Sequence, residues 1–393
     1  MAGSYIVAGA RTPIGKLNGA LAPLSAADLG GLAIKAALER AGVSPDDVEH
    51  VLMGQVLMAG QGQVPSRQAA VKAGIPMSVP SVNINKVCLS GLNTIYLADQ
   101  MIGAGDADIV VAGGMESMTN APYLAPGARG GLRYGNAELV DAIISDGLWC
   151  AFDACLMGLG TERYGAGGIT REQQDDIAVK SNERAANAIK SGRFADEITP
   201  VSVAQRRGDP VLVETDEGVR PGTTMESLAA LRPAFDKEGT ITAANASQIS
   251  DGGCALVMMS ERAVNACGVS PLGQVVGYGM VAGPDNASLL RQPSRAINAA
   301  LARAGKTIDD VDLFEINEAF AAVGIASMAD LGITDDVVNV NGGAIALGHP
   351  IGMSGNRLAL TLLHELRRRG GGLGAAALCG GGGQGDALLV RSL

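Results

Sequence analysis

The stretch AALERAGVSPDDV at residues 36–48 returns as AALARAGKTIDDV at residues 299–311, with nine of thirteen positions identical at an offset of 263. A chain that repeats a motif this closely is expected to fold as two similar halves. Each copy reads as the end of an Ala-rich helix, a glycine stop at Gly42 or Gly305, a polar turn, and a strand beginning near Val51 or Leu313. A second match follows in the same order. VNIN at 82–85 and VNVN at 338–341 each lead on to a Ser-Gly pair, Ser90-Gly91 and Ser354-Gly355, with eight more residues in the second copy. A helical run comes next, then an apolar strand ending in glycines, ADIVVAGG at 107–114 and GAAALCGGGG at 374–383. This alternation predicts an α/β fold in which each half carries a sheet covered by helices.

Residues 120–249 have no counterpart in the second half and are rich in polar residues and in prolines such as Pro122, Pro126, Pro200, Pro210, Pro221 and Pro233. They are expected to form an inserted loop domain, a common place for binding functions on a rigid scaffold. The expected division is a first half of residues 1–119 with 250–270, the insertion at 120–249, and a second half of residues 271–393. Hydrophobic residues make up 47% of the 393, enough for a large core. Glycine, at 55 residues, has about twice its usual share of ~7%, so tight turns and close backbone approaches are expected. The chain has no run of eighteen apolar residues, and MAGSYIVAGARTPIG lacks the basic-then-apolar pattern of a leader, so a soluble, cytoplasmic protein is expected. A formal charge of -10 argues against general nucleic-acid affinity. A phosphorylated ligand would need local basic groups and backbone amides. The cysteines at 88, 150, 155, 254, 267 and 379 form no CxxC pair, and the only histidines are His50, His349 and His364. Reduced thiols and no catalytic metal are expected.

Four positions could carry chemistry. Cys88 lies between the strand-like SVNIN and the helical LSGLNTIYLADQMI, where a helix N-terminus would favour a nucleophilic thiolate; a free cysteine is otherwise a small buried hydrophobe. His349 sits in GGAIALGHPIGMSG, an irregular loop able to hold an imidazole as a base or as a donor to an enolate oxygen. Cys379 ends an apolar strand before GGGGQG, where exposed N–H groups, Gly381 above all, could form an oxyanion hole. The same glycines satisfy G-x-G-x-x-G, but the strand-like DALLV that follows argues against a dinucleotide site, and GARTPIGK is one residue too long for a phosphate-binding loop. Asn317, in EINEAFAAV, reads either as a helix N-cap or as a group that orients a water or an oxyanion.

Taken together, IVAGARTPIG, VCLSG, NEAFA, GGAIALGHPIGMSG and CGGGGQG resemble the thiolase family, in particular its acetyl-CoA acetyltransferases, over essentially the whole chain. The resemblance implies a thiolase-like five-layered αβαβα core from two similar halves with an inserted loop domain. It implies Cys88 as acyl-accepting nucleophile, Cys379 as acid/base, and His349 as activator of Cys88 and, with a water held by Asn317, as stabiliser of the enolate. The N–H groups of Cys88 and Gly381 would form an oxyanion hole. Two acetyl-CoA would condense to acetoacetyl-CoA and CoA, or the reverse, through an acyl-Cys88 intermediate and with no prosthetic group. By the same resemblance, acyl-CoA and CoA would be held by Arg220, Ser227, Phe235, Ala243 and Ser247, with Leu156, Met157, Ala319 and Phe320 at the substrate. Leu156-Met157-Gly158 departs from the His-Met-Gly of many short-chain members and leaves acyl-chain length open. The alternatives are a 3-ketoacyl-CoA thiolase for longer chains and a catalytically silent, lipid-binding relative. Self-association to a dimer or tetramer is implied, with tetramer contacts from the insertion.

Overall fold

The computed structural model describes residues 4–165 and 168–393. Its main sheet contains β1 (Tyr5–Arg11), β2 (His50–Gly54), β3 (Ser81–Ile84), β4 (Ile109–Ser117), β5 (Ser250–Met259), β6 (Gly273–Ala282), β7 (Leu313–Ile316), β8 (Gly372–Gly380) and β9 (Gln384–Ser392). The helices of eleven or more residues among those described are α1 (Ala26–Ala41), α2 (Ser90–Ala104), α3 (Arg171–Lys190), α4 (Gln292–Ala304), α5 (Ala321–Leu331) and α6 (Ser354–Arg368).

The strand order is β7-β8-β9-β6-β1-β5-β4-β2-β3. Read outward from the β6/β1 junction, β1-β5-β4-β2-β3 matches β6-β9-β8-β7, and a parallel bridge from Phe314 to Val338 stands where the first half has β3. The repeat seen in the sequence is therefore a structural repeat. Both copies of its first motif end a helix on a left-handed glycine, with Gly42 and Gly305 each at φ 63, a conformation that side chains disfavour and that stops the helix.

Alternation along the strands sorts their side chains into layers. Val51, Met53, Val111, Ala255 and Val257 pack under α1, while Leu52, Val110, Ala112, Leu256 and Met258 face the opposite way. There they meet Leu92 and Ile95 of α2, Leu358 and Leu362 of α6, and Ala376, Leu378 and Leu388 of the second half. The other face of that second half, including Phe314, Ile316, Ala375 and Leu389, lies under Ile297 and Leu301 of α4. The result is helix, sheet, a central α2/α6 layer, sheet and helix, with both sheet faces covered, as suits strands this apolar.

Between β4 and β5 the chain leaves this core for short two-stranded pairings and α3. One tie back is the fully buried Arg11 at the end of β1. Its guanidinium donates to Glu197 at 2.8 Å and to both oxygens of Asp216 at 2.7 and 2.9 Å. Among the described residues no helix is long and apolar enough to cross a membrane.

Candidate active site

The parallel strands of both halves end at one place, the usual site for ligands in such sheets. Cys88 follows β3 and stands two residues before α2. The preceding Val87 has φ 51, a left-handed conformation costly for a β-branched residue and typical of functional turns. Its N–H donates to Asn85 Oδ1 at 3.1 Å, and its carbonyl accepts from the Ser90 hydroxyl at 2.6 Å. Cys379 is the penultimate residue of β8 and is buried. The glycine run after it closes an antiparallel hairpin from β8 to β9, and no helix follows, so the dinucleotide reading is excluded by geometry. Asn317 lies just beyond β7, with its N–H bonded to Ala377 O at 2.9 Å. It is not a helix cap: α5 begins at Ala321 with Phe320 in the capping position.

Cys88, His349, Cys379 and Gly381 line one cavity of about 60 Å³, together with Met157, Ser247, Ala319 and Phe320. His349 and the last four also line a mostly apolar cavity of about 440 Å³ that includes Leu156, Phe235 and Ala243. That volume lies within the usual ~300–1,000 Å³ of a small-molecule site. Asn317 reaches the site through His349, its Nδ2 standing 3.4 Å from Nε2, while its Oδ1 has no hydrogen-bond partner in the protein. Arg220 and Ser227 line neither cavity. The Arg220 side chain is exposed, and the Ser227 hydroxyl donates to Thr224 O at 2.8 Å within its own helix cap.

The electrostatics differ from the expectation at the nucleophile. Cys88 keeps some surface open to the cavity, yet its sulfur sits deep in the protein, and burial pushes the thiol up to about 12. The N–H groups of Cys88 and Gly381 act against that rise and Glu116 adds to it. Proximity to a helix N-terminus therefore does not yield a resting thiolate, because desolvation outweighs it. Burial also raises Cys379, with Cys88 adding to the effect. His349 is pushed down to about 4 by burial, with the Arg357 charge acting in the same direction. The resting pair is a neutral thiol and a neutral imidazole. The two N–H groups at the Cys88 sulfur are fixed donors suited to an oxyanion formed there.

Two side chains at the site had no assigned role in the sequence reading. Glu116, buried at the end of β4, accepts from the N–H groups of Val56, Leu57 and Gly352 at 2.9, 3.0 and 2.9 Å, and burial lifts it to about 7. A carboxylate closing the apolar IVVAGGMES was the available signal. Ser354 lies 2.6 Å from His349 Nδ1, and its place in GHPIGMSG was visible but not its contact.

The chain matches the thiolase N-terminal domain over residues 4–262 and the thiolase C-terminal domain over residues 269–392. It is 56% identical over 387 residues to a probable acetyl-CoA acetyltransferase of Mycolicibacterium smegmatis, covering 98% of this chain and all of that relative. Acetyl-CoA acetyltransferases of Cupriavidus necator and Pseudomonas aeruginosa are 53% and 50% identical, each match covering 98% of both chains. With both domains matched in order and the two-fold repeated α/β core in place, the chain belongs to the thiolase family.

Proposed function

We propose that this chain is an acetyl-CoA C-acetyltransferase that works by a two-stage exchange through an acetyl-Cys88 intermediate. The observation that carries the reading is the meeting of two thiols, one imidazole and the Gly381 N–H around a single cavity. His349 Nε2 takes the Cys88 proton as the sulfur attacks the thioester carbonyl. The carbon–sulfur bond to CoA then breaks, and CoA leaves with the proton of Cys379, so that Cys379 becomes a thiolate base while His349 keeps the proton taken from Cys88. A second acetyl-CoA loses an alpha proton to Cys379, and His349 and Asn317 stabilise the enolate oxygen. The enolate carbon attacks acetyl-Cys88, the carbon–sulfur bond to Cys88 breaks and Cys88 regains its proton from His349, with the N–H groups of Cys88 and Gly381 holding the oxyanion in between. No prosthetic group enters these steps.

The larger cavity would receive the pantetheine arm past Phe235, Ala243 and Ser247, with Arg220 and Ser227 for the outer part of CoA. The apolar lining at Leu156 favours one alternative, a 3-ketoacyl-CoA thiolase for longer chains. A kcat/KM series over chain length decides between them, each methylene being worth roughly 1–3 kcal/mol in a pocket that accepts it. The reading itself is tested by trapping with labelled acetyl-CoA. Label is expected on Cys88 and absent from Cys88→Ser, and label on Cys379 in the unaltered protein would overturn the assignment.

A further inference from the structure

We propose that Ser354 is the positioning residue that selects the tautomer of His349, keeping a proton on Nδ1 so that Nε2 turns a lone pair toward the cavity. Ser354 Oγ stands 2.6 Å from Nδ1 and 2.9 Å from the Pro350 carbonyl oxygen. A hydroxyl has one proton, and a carbonyl can only accept. If Ser354 donates to Pro350, it must accept from Nδ1–H. On the far side of the ring, Asn317 Nδ2 can only donate, and it lies 3.4 Å from Nε2. The contacts then run in one direction: Asn317 to Nε2, Nδ1 to Ser354, Ser354 to Pro350.

The internal repeat supplies an independent argument. Ser90 is the counterpart of Ser354 and uses its hydroxyl in the same manner, donating to Val87 O at 2.6 Å while accepting the Lys86 N–H at 2.8 Å. In the first half the donor into the serine is a backbone amide. In the second half the same fold position receives the imidazole, so a structural device has been turned toward the reacting groups.

The charged and titratable groups facing His349 are Arg357, further along α6, and the thiols Cys88 and Cys379 across the cavity. Burial and Arg357 both oppose an imidazolium, so the resting ring is neutral and its tautomer decides what it can do. With the proton on Nε2, the ring would offer the cavity a donor and no base, and the neutral Cys88 thiol would stay inert. The proposal rests on the reading that His349 serves Cys88.

With three histidines in the chain, nitrogen-15 labelling of histidine and NMR of the ring nitrogens reads the tautomer directly, with His349→Gln identifying the signal. The unaltered protein is expected to show His349 protonated at Nδ1 and bare at Nε2 near pH 7. Ser354→Ala is expected to lose that preference and to lower kcat by roughly 10- to 100-fold at nearly constant KM. Ser354→Thr, which keeps the hydroxyl, should recover both. Protonation at Nε2 in the unaltered protein would overturn the proposal, as would a Ser354→Ala variant that keeps both the Nδ1 proton and the full rate. If Ser354→Ala does not fold, the unaltered and Thr spectra still decide. Failure of Cys88 to become acetylated would instead overturn the functional reading and leave the tautomer result standing.

Discussion

At Cys88 the two N–H groups facing the sulfur and the burial around it pull the thiol in opposite directions, and burial prevails. In the proposed mechanism, proton transfer to His349 must therefore accompany attack on the substrate. The positions of Cys88, His349 and Cys379 are legible in the sequence because each stands at a strand end or in a glycine-marked loop. Their protonation is not legible, since it depends on how five layers converge. For His349 the sign follows from the depressed pKa: an unfolded imidazole binds its proton near 6.5, the folded one near 4. Between those values the unfolded state holds more protons, so this residue's contribution to stability is lost as pH falls through that window. For the same reason the acid limb of kcat/KM, which reports the free enzyme, is expected near pH 4. A limb at 6.5 in a pH–rate series would show that burial does not depress His349 in the working enzyme. The two thiols should also separate. Cys379→Ser is expected to leave acetylation of Cys88 intact while slowing condensation by about 10²- to 10⁴-fold, the usual worth of a general acid–base. Alpha-proton exchange into deuterated water at the unaltered rate would mean that another group is the base.

The elements meet at the site because glycines let backbones touch. A Cβ on Gly91 would sit 2.9 Å from Gly352 O, and one on Gly54 2.8 Å from Gly91 N. A Cβ on Gly355 would run into the backbone of Leu92, and one on Gly114 into Gly352 O. The entry turns of α2 and α6 are thereby pressed together, which seats the His349 loop against the turn that carries Cys88. The Ser-Gly pairs 90–91 and 354–355 were legible as a repeat, yet their purpose was not, because each glycine answers to the other half of the molecule. Gly355→Ala should therefore strain this crossing by about 1–3 kcal/mol, the common cost of overpacking, and reduce acetylation as well as thermal stability. Unchanged melting and activity would show that the central layer can yield there. Asn317 gives the complementary lesson. Its letters fit a helix cap, but the four-residue passage from β7 to α5 places it beside His349 instead.

At the scale of the whole molecule, the segment between β4 and β5 is anchored through the buried Arg11, a tie that was not legible in the sequence, since Arg11 precedes Glu197 and Asp216 by some two hundred residues. The insertion leaves large apolar side chains uncovered: Leu132, Tyr134 and Leu139 are exposed, as are Tyr123, Trp149 and Phe152. Among the described residues β3, at the far end of the sheet, has β2 as its one strand neighbour, with Val82 exposed. An open strand edge is a template for pairing, and clustered apolar residues at a surface mark association sites. Self-association, the expectation from the family resemblance, would cover both features. Light scattering on the purified protein should therefore give a mass of at least twice the 39.8 kDa chain. Replacing Leu132, Tyr134 and Leu139 by serine should lower the assembly order. These three side chains line neither cavity, so kcat per chain should stay close to that of the unaltered protein. A monomer in the unaltered protein would refute the expectation of assembly. An unchanged mass in the triple variant would move the contact to the β3 edge, where Val82→Lys should then dissociate it.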